Sequence, residues 1–213
     1  MKIFPFLALF SFACFAQVPD LLDEDQPRKK VIVVNEINSE TEAEFLADVD
    51  AAQKDSTEII VKIDSPGGSS SAGLKMGEAL KRSKVPSVCI VEGDAYSAAF
   101  FLLQACGRRL AVDSGRLMAH APYFAQIDHA NEKELTDMAA QLRMLTNAYI
   151  DLCAKRFKIT RAEIAEKINN HDWWMDTAEA LKIGALDGLI ALENVPASPP
   201  KAPPGLPAFL FRR

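Results

Sequence analysis

The sequence has little of what marks metalloproteins and nucleic-acid-binding proteins. Its 213 residues include only 3 histidines and 4 cysteines, and no Cys-x-x-Cys pair or Cys/His cluster has the spacing of a zinc site. A formal net charge of −5 leaves no basic surplus, which argues against nucleic acid as the main partner. We therefore expect no metal, no cofactor and no nucleic-acid partner.

The first residues do not look like part of a fold. In MKIFPFLALFSFACFA one lysine precedes an uncharged apolar stretch from Ile3 to Ala16, which falls short of the roughly 20 residues of a membrane-spanning helix. This pattern predicts a signal peptide over residues 1–16, with cleavage after Ala16, and hence a periplasmic or secreted protein. Whether the leader is cleaved or kept as an anchor stays open. Residues 17–30 are polar and predict a flexible lead-in.

Three cysteines remain once the leader is removed. Cys89, Cys106 and Cys153 lie in apolar surroundings, and their odd number favours buried thiols over a disulfide framework. An oxidising compartment would allow one bridge among them.

Strand-like and helix-like segments alternate over residues 31–192, which form the predicted domain. β-branched runs predict strands at residues 31–37, 58–64 and 87–93, and a helical pattern follows each of them. The first helix begins with Ser39 and Glu42 in the spacing of a capping box. Such alternation predicts an α/β fold with a parallel sheet and right-handed crossovers.

Two further segments stand apart from this alternation. Residues 131–157 have apolar positions three or four apart, which predicts a long amphipathic helix. Such a helix could simply cover the core, but its length and its apolar residues on two sides favour a subunit interface. Residues 193–213 are rich in proline and predict a flexible or polyproline tail.

Two strand ends carry candidate functional residues. DSPGGSS (64–70) follows the second strand, and its glycines let backbone N–H groups face an anion at a helix start. Ser97 follows the neighbouring strand, so both segments are expected at one edge of the sheet. Ser97 either caps the following helix or is a nucleophile, and a nucleophilic serine needs a base and backbone donors for the oxyanion.

Histidines and carboxylates offer partners for Ser97. His120 ends an apolar strand, whereas His129 lies in a polar loop and His171 stands beside Asp172. On residue type and position alone Asp172 and Asp176 are rivals, since either carboxylate could cap a helix.

Four motifs in order resemble the proteolytic subunit of Clp proteases. KIDSPGGSSSAG, GDAYSAAFFLL, GRLMAHAP and HDWWMDTAEALKIGALDGL match that family in sequence and spacing over residues 31–190. The resemblance implies a ClpP/crotonase-like spiral of βαβ units with a protruding handle helix. It also implies a serine endopeptidase that cuts peptides or unfolded proteins and assembles as a homo-oligomeric ring through that helix. The implied triad is Ser97, His120 and Asp172, with the amides of Gly68 and Ala98 in the oxyanion hole.

The sequence departs from the family in two respects. An exported location lacks ATP, which speaks against an ATPase partner. The segment after His120, APYFAQIDHANEK, also lacks the glycine-rich strand that pairs with substrate in the family. Two alternatives stay open: a Ser-Lys enzyme like the signal peptide peptidases, with Lys75 or Lys81 as base, and a catalytically inactive binding module.

Overall fold

The computed structural model describes residues 28–199. The predicted signal peptide and most of the predicted lead-in and tail lie outside these residues. The described part contains a sheet, six helices and a short 3₁₀ turn. Its elements are β1 (Lys29–Val34), α1 (Ser39–Asp55), β2 (Glu58–Ser65), α2 (Ser70–Arg82), β3 (Ser87–Tyr96), α3 (Ala98–Ala105), β4 (Arg108–Ala111), β5 (Arg116–Ala119), α4 (Glu132–Ala154), α5 (Arg161–Asn170), β6 (Trp173–Met175), α6 (Thr177–Ile183), β7 (Gly188–Leu189) and the 3₁₀ turn (Leu192–Asn194).

The sheet has the predicted parallel, crossover-connected architecture. Its strand order is β1-β2-β3-β4-β7, with all of these neighbours parallel. β3 is long enough to pair with two strands, first β4 and then β5. β6 pairs antiparallel with β5. This three-residue strand was not predicted from the sequence, and it lies next to the candidate site.

Alternating side chains of β2 separate two apolar cores. Ile59, Val61 and Ile63 face the larger core, which the sheet forms with all six helices. On the opposite face Ile60 belongs to a smaller cluster that Val195 helps to cover. A strand buried on both faces reads as an unbroken apolar run, which is why β2 was recognisable from the sequence.

The beginning of the proline-rich segment packs on that second face. Lys62, which is only 5% exposed, points from β2 toward it. Its ammonium forms an ion pair with Glu92 at 2.8 Å and donates hydrogen bonds to the Pro196 carbonyl at 3.0 Å and the Ser198 hydroxyl at 2.9 Å. Residues 195–198 are therefore attached to the sheet through a buried charge.

Two local predictions need correction. The capping box of α1 is formed by Asn38 and Thr41 rather than by Ser39 and Glu42, because the helix begins one residue earlier than its serine suggested. Cys89 and Cys106 form a disulfide with their Cα atoms 5.9 Å apart, whereas the sequence favoured buried thiols. Cys153 alone is a free, buried thiol among the described cysteines.

Within residues 28–199 no helix combines the length and the apolar character needed to cross a membrane.

Candidate active site

Ser97 lies in a strained turn between β3 and α3. It has φ 54° and ψ −120°, and it is the one non-glycine residue with a positive φ among residues 28–199. Such a conformation costs about 1–3 kcal/mol and persists only where the surroundings enforce it. The Ser97 N–H donates to the Met118 carbonyl at 2.8 Å, which holds the turn on β5. The Ser97 side chain makes no capping hydrogen bond to α3, so the capping interpretation is wrong.

Glycine is required where the neighbouring turn passes Ser97. Gly67 has φ 98°, and a Cβ atom there would lie 2.6 Å from the Tyr96 carbonyl oxygen and 3.0 Å from the Ser97 Cβ. Any side chain at residue 67 would therefore push the two turns apart. The DSPGG segment allows the second strand end to pack directly against the serine.

Hydrogen bonds between Ile37 and both neighbours of Gly68 determine the orientation of the Gly68 backbone. The Ile37 N–H donates to the Gly67 carbonyl at 3.0 Å, and the Ser69 N–H donates to the Ile37 carbonyl at 2.7 Å. Successive peptide groups of an extended chain point in opposite directions, so the Gly68 N–H points away from Ile37. The Ala98 N–H is the first of α3, where the positive end of the helix dipole favours a developing negative charge.

His120 follows β5 directly and contacts the serine. Its Nε2 lies 2.7 Å from the Ser97 Oγ, which is hydrogen-bond distance. The histidine side chain is 15% exposed. The parallel pairing of Tyr96 with Met118 sets this contact, because it brings the ends of β3 and β5 to the same level of the sheet.

Asp172 faces the other nitrogen of His120. Its Oδ1 lies 3.9 Å from the His120 Nδ1, too far for a hydrogen bond but within ion-pair distance, and its side chain is 55% exposed. The antiparallel pairing of β5 with β6 ends at Ala119 opposite Trp173, so residues 120 and 172 are the next positions across from each other. The unpredicted strand β6 thus places this carboxylate.

The other candidate residues lie elsewhere. Asp176 caps α6 by accepting a hydrogen bond from the Glu179 N–H at 2.8 Å. His129 and His171 are exposed. Lys75 is 63% exposed and pairs with Glu42, and Lys81 pairs with Glu78 on the same helix. Neither lysine is among the residues that line the cleft at Ser97.

Aromatic residues around the site were not all predicted. Tyr123 is 68% exposed, and its ring centroid lies 5.4 Å from that of His120. Trp173 is buried, whereas Trp174 is 56% exposed and packs edge-on against Tyr96. Side chains alternate between the two faces of a strand, which explains the difference, but a strand as short as β6 has no recognisable sequence pattern.

These residues enclose an open cleft of about 690 Å³. Its walls come from the Gly67–Gly68 turn, the Ser97 turn and the segment that follows His120. The volume suits several residues of an extended peptide. Its lining includes Glu36, Pro66, Gly68, Ser97, His120, Tyr123 and Asp172.

Comparisons with known proteins point to one family. The Clp protease family model matches residues 18–193. The ATP-dependent Clp protease proteolytic subunit 2 of Prochlorococcus marinus is 34% identical over an alignment of 151 residues, which covers 66% of this chain and 71% of that protein. The proteolytic subunit 1 of Chlamydia muridarum is 31% identical over 134 residues, which are 62% of this chain and 69% of that protein.

A solved structure supports the fold. A single-substitution mutant of ClpP1 from Listeria monocytogenes superposes with a TM-score of 0.68 at 20% sequence identity, covering 76% of this chain and 91% of that one. The chain therefore has the predicted ClpP/crotonase-like fold, and it belongs to the Clp protease family.

Proposed function

We propose that the protein is a serine endopeptidase in which Ser97 is the nucleophile and His120 the general base. The observation that carries this proposal is the 2.7 Å contact between the Ser97 Oγ and the His120 Nε2, made by a serine on a strained turn. A serine hydroxyl is too weakly acidic to attack unaided, so a base at this distance is what nucleophilic catalysis needs.

The reaction follows from the positions of these groups. The Ser97 Oγ attacks the peptide carbonyl carbon while His120 Nε2 takes the hydroxyl proton. The negative charge that develops on the carbonyl oxygen is stabilised by the N–H groups of Gly68 and Ala98. His120 then gives the proton to the leaving amine, which leaves an acyl-enzyme on Ser97. Water, activated by the same histidine, hydrolyses the acyl ester.

Asp172 orients His120 and stabilises its charged form. In this role the carboxylate favours the tautomer with a proton on Nδ1 and offsets the positive charge of the imidazolium. The Asp172 Oδ1 lies 3.9 Å from the His120 Nδ1, and the aspartate side chain is 55% exposed. We therefore expect it to affect His120 less than a buried carboxylate with a direct hydrogen bond would.

Extended peptides or unfolded proteins are the proposed substrates, and a homo-oligomer is the proposed working form. The long helix α4 exposes apolar side chains, with Leu135 46% and Met144 72% exposed. Exposed apolar residues along one long helix favour contact with a second copy of the chain.

Export is part of the proposal. The apolar stretch of residues 3–16 has the pattern of a signal peptide, and the Cys89–Cys106 disulfide suits an oxidising compartment. No ATPase partner is proposed, because ATP is absent there.

A fluorophosphonate probe tests the proposed nucleophile. We expect one covalent adduct, mapped to Ser97 and absent from the three nearby serines at residues 69–71. Ser97→Ala should abolish both labelling and peptide hydrolysis, and His120→Gln should slow labelling by about 100-fold or more. Full activity in His120→Gln would favour the Ser-Lys alternative instead. A folded protein that neither labels nor hydrolyses peptides would favour the binding module.

A further inference from the structure

The first turn of α2, shortly after Gly68, and the helix α3, which follows Ser97, are both in contact with one residue of α4. Tyr149 is 1% exposed, and its hydroxyl donates a hydrogen bond to the Ser70 carbonyl at 2.7 Å. Its ring stacks on Phe101, with the centroids 3.8 Å apart and the planes at 2°. A single buried side chain therefore links α4 to the first turn of α2 and to α3.

Each of these two contacts is close to a proposed oxyanion donor. Ser70 begins α2 and follows Gly68 by two residues, and both line the cleft. Phe101 lies one helical turn after Ser97, and its N–H donates to the Ser97 carbonyl at 3.2 Å. The distance between the Gly68 and Ala98 amides thus depends on how α2 and α3 are held together.

The two helices also touch directly, and close packing leaves them little freedom. A Cβ atom on Gly73 of α2 would lie 3.2 Å from the Ala98 Cβ, so α2 and α3 are near their closest approach at this point. Tyr149 holds the same pair from the side of α4. Because the Ser70 carbonyl belongs to the first turn of its helix, a bond to it fixes the direction in which the Gly67–Gly68 turn enters α2.

Tyr149 keeps its proton under all ordinary conditions. Burial raises its pKa to about 12, although the hydrogen bond with Ser70 acts in the opposite direction. The phenol therefore remains a donor to the Ser70 carbonyl. A neutral donor with one fixed partner is suited to holding geometry rather than to transferring a proton.

We propose that Tyr149 is a positioning residue that sets the spacing of the two oxyanion donors, the Gly68 and Ala98 amides. This inference rests on the proposed function.

The first test needs no activity. Tyr149→Phe keeps the stacked ring and removes only the hydrogen bond, and amide hydrogen exchange by mass spectrometry reports the peptide that covers residues 66–72. We expect faster exchange of that peptide in Tyr149→Phe. The matched control is Thr146→Val. Thr146 lies one turn before Tyr149 in α4, and its hydroxyl donates a hydrogen bond only to the Leu142 carbonyl of the same helix. Equal exchange in the wild type and Tyr149→Phe overturns the inference.

The second test separates positioning from simple loss of stability. On a fluorogenic peptide, Tyr149→Phe should lower kcat by about three- to tenfold with KM nearly unchanged, since one hydrogen bond acts on the transition state. The inhibition constant of a peptide aldehyde, which forms a tetrahedral adduct with the serine, should rise by the same factor. Thr146→Val should match the wild type in both. An unchanged kcat in Tyr149→Phe overturns the inference about Tyr149 but not the proposed function. A wild type that hydrolyses no peptide overturns the proposed function. In that case the hydrogen-exchange result decides whether Tyr149 positions the Gly68 turn.

Discussion

The His120 Nδ1 lies 3.9 Å from the Asp172 Oδ1, one position beyond the last paired residues of β5 and β6. On its other side the same imidazole is within hydrogen-bond distance of Ser97, at 2.7 Å. The proposed base thus lies within hydrogen-bond distance of the nucleophile but only within ion-pair distance of the carboxylate.

Asp172→Asn should therefore affect catalysis less than the loss of the base. An exposed ion pair contributes about 0–1 kcal/mol, so we expect kcat to fall by about fivefold or less. His120→Gln should lower kcat by about 100-fold or more. Steady-state kinetics of both variants on one fluorogenic peptide compare the two losses. The same loss in both variants would show that the carboxylate closes onto His120 during the reaction.

Gly67→Ala should disturb the active site more than an ordinary glycine replacement. The new methyl would meet the Tyr96 carbonyl and the Ser97 Cβ, and the positive φ of residue 67 disfavours any side chain. We expect a loss of about 1–3 kcal/mol of unfolding free energy together with a loss of most peptidase activity. Urea unfolding and the rate of fluorophosphonate labelling measure the two effects.

Gly188→Ala is the matched control for that variant. At residue 188 a Cβ would meet only the Leu110 side chain at 3.4 Å, an ordinary van der Waals distance. Normal labelling is expected there. Normal labelling in Gly67→Ala as well would mean that the Ser97 turn does not depend on its glycine neighbour.

Local patterns were enough to predict most of the fold, but not the contacts that complete the site. Strands such as β2 are long, β-branched and buried, so their sequence alone identifies them. β6 has three residues and two tryptophans, and it forms only because β5 is available to pair with it. Its pairing decides which aspartate faces His120, so reasoning from residue types left Asp172 and Asp176 as rivals.

Long-range packing explains the other omissions. Nothing in the spacing of the cysteines indicates which two will meet, since Cys89 lies within β3 and Cys106 ends α3. The contact of Tyr149 with Ser70 joins residues 79 positions apart, and Tyr149 looked like one apolar position among several in a long helix. Motif resemblance could propose Ser97, His120 and Asp172 as one set because a family motif carries three-dimensional information that periodicity lacks.

Reduction of the Cys89–Cys106 disulfide should destabilise the protein. The bridge joins residues 17 positions apart, and that loop contains the Ser97 turn. A loop of this length predicts a loss of about 3 kcal/mol, since the reduced unfolded chain regains conformational freedom. Thermal unfolding with and without dithiothreitol measures the loss. The Cys89→Ala/Cys106→Ala variant should melt lower than the wild type and show no further shift with reductant, and an unshifted wild type would count against the bridge.

Removal of residues 196–213 should destabilise the second face of the sheet. The deletion takes away the Pro196 carbonyl and the Ser198 hydroxyl, which accept hydrogen bonds from the buried Lys62 ammonium. Each hydrogen bond to a charged group stabilises a protein by about 1.5–3 kcal/mol. Water that enters the newly exposed face would replace part of this stabilisation. We therefore expect the free energy of unfolding to fall by about 1–3 kcal/mol. The ion pair between Lys62 and Glu92 remains in that variant.

A shorter deletion separates this effect from loss of the tail as a whole. Removing only residues 200–213 leaves both hydrogen-bond acceptors of Lys62 in place, so the urea midpoint of that variant should equal that of the full chain. Ser198→Ala in the full chain should lie between the two, because it removes one acceptor and leaves the Pro196 carbonyl. If both deletions lowered the midpoint equally, the stabilising contact would have to lie beyond residue 199 rather than at Lys62.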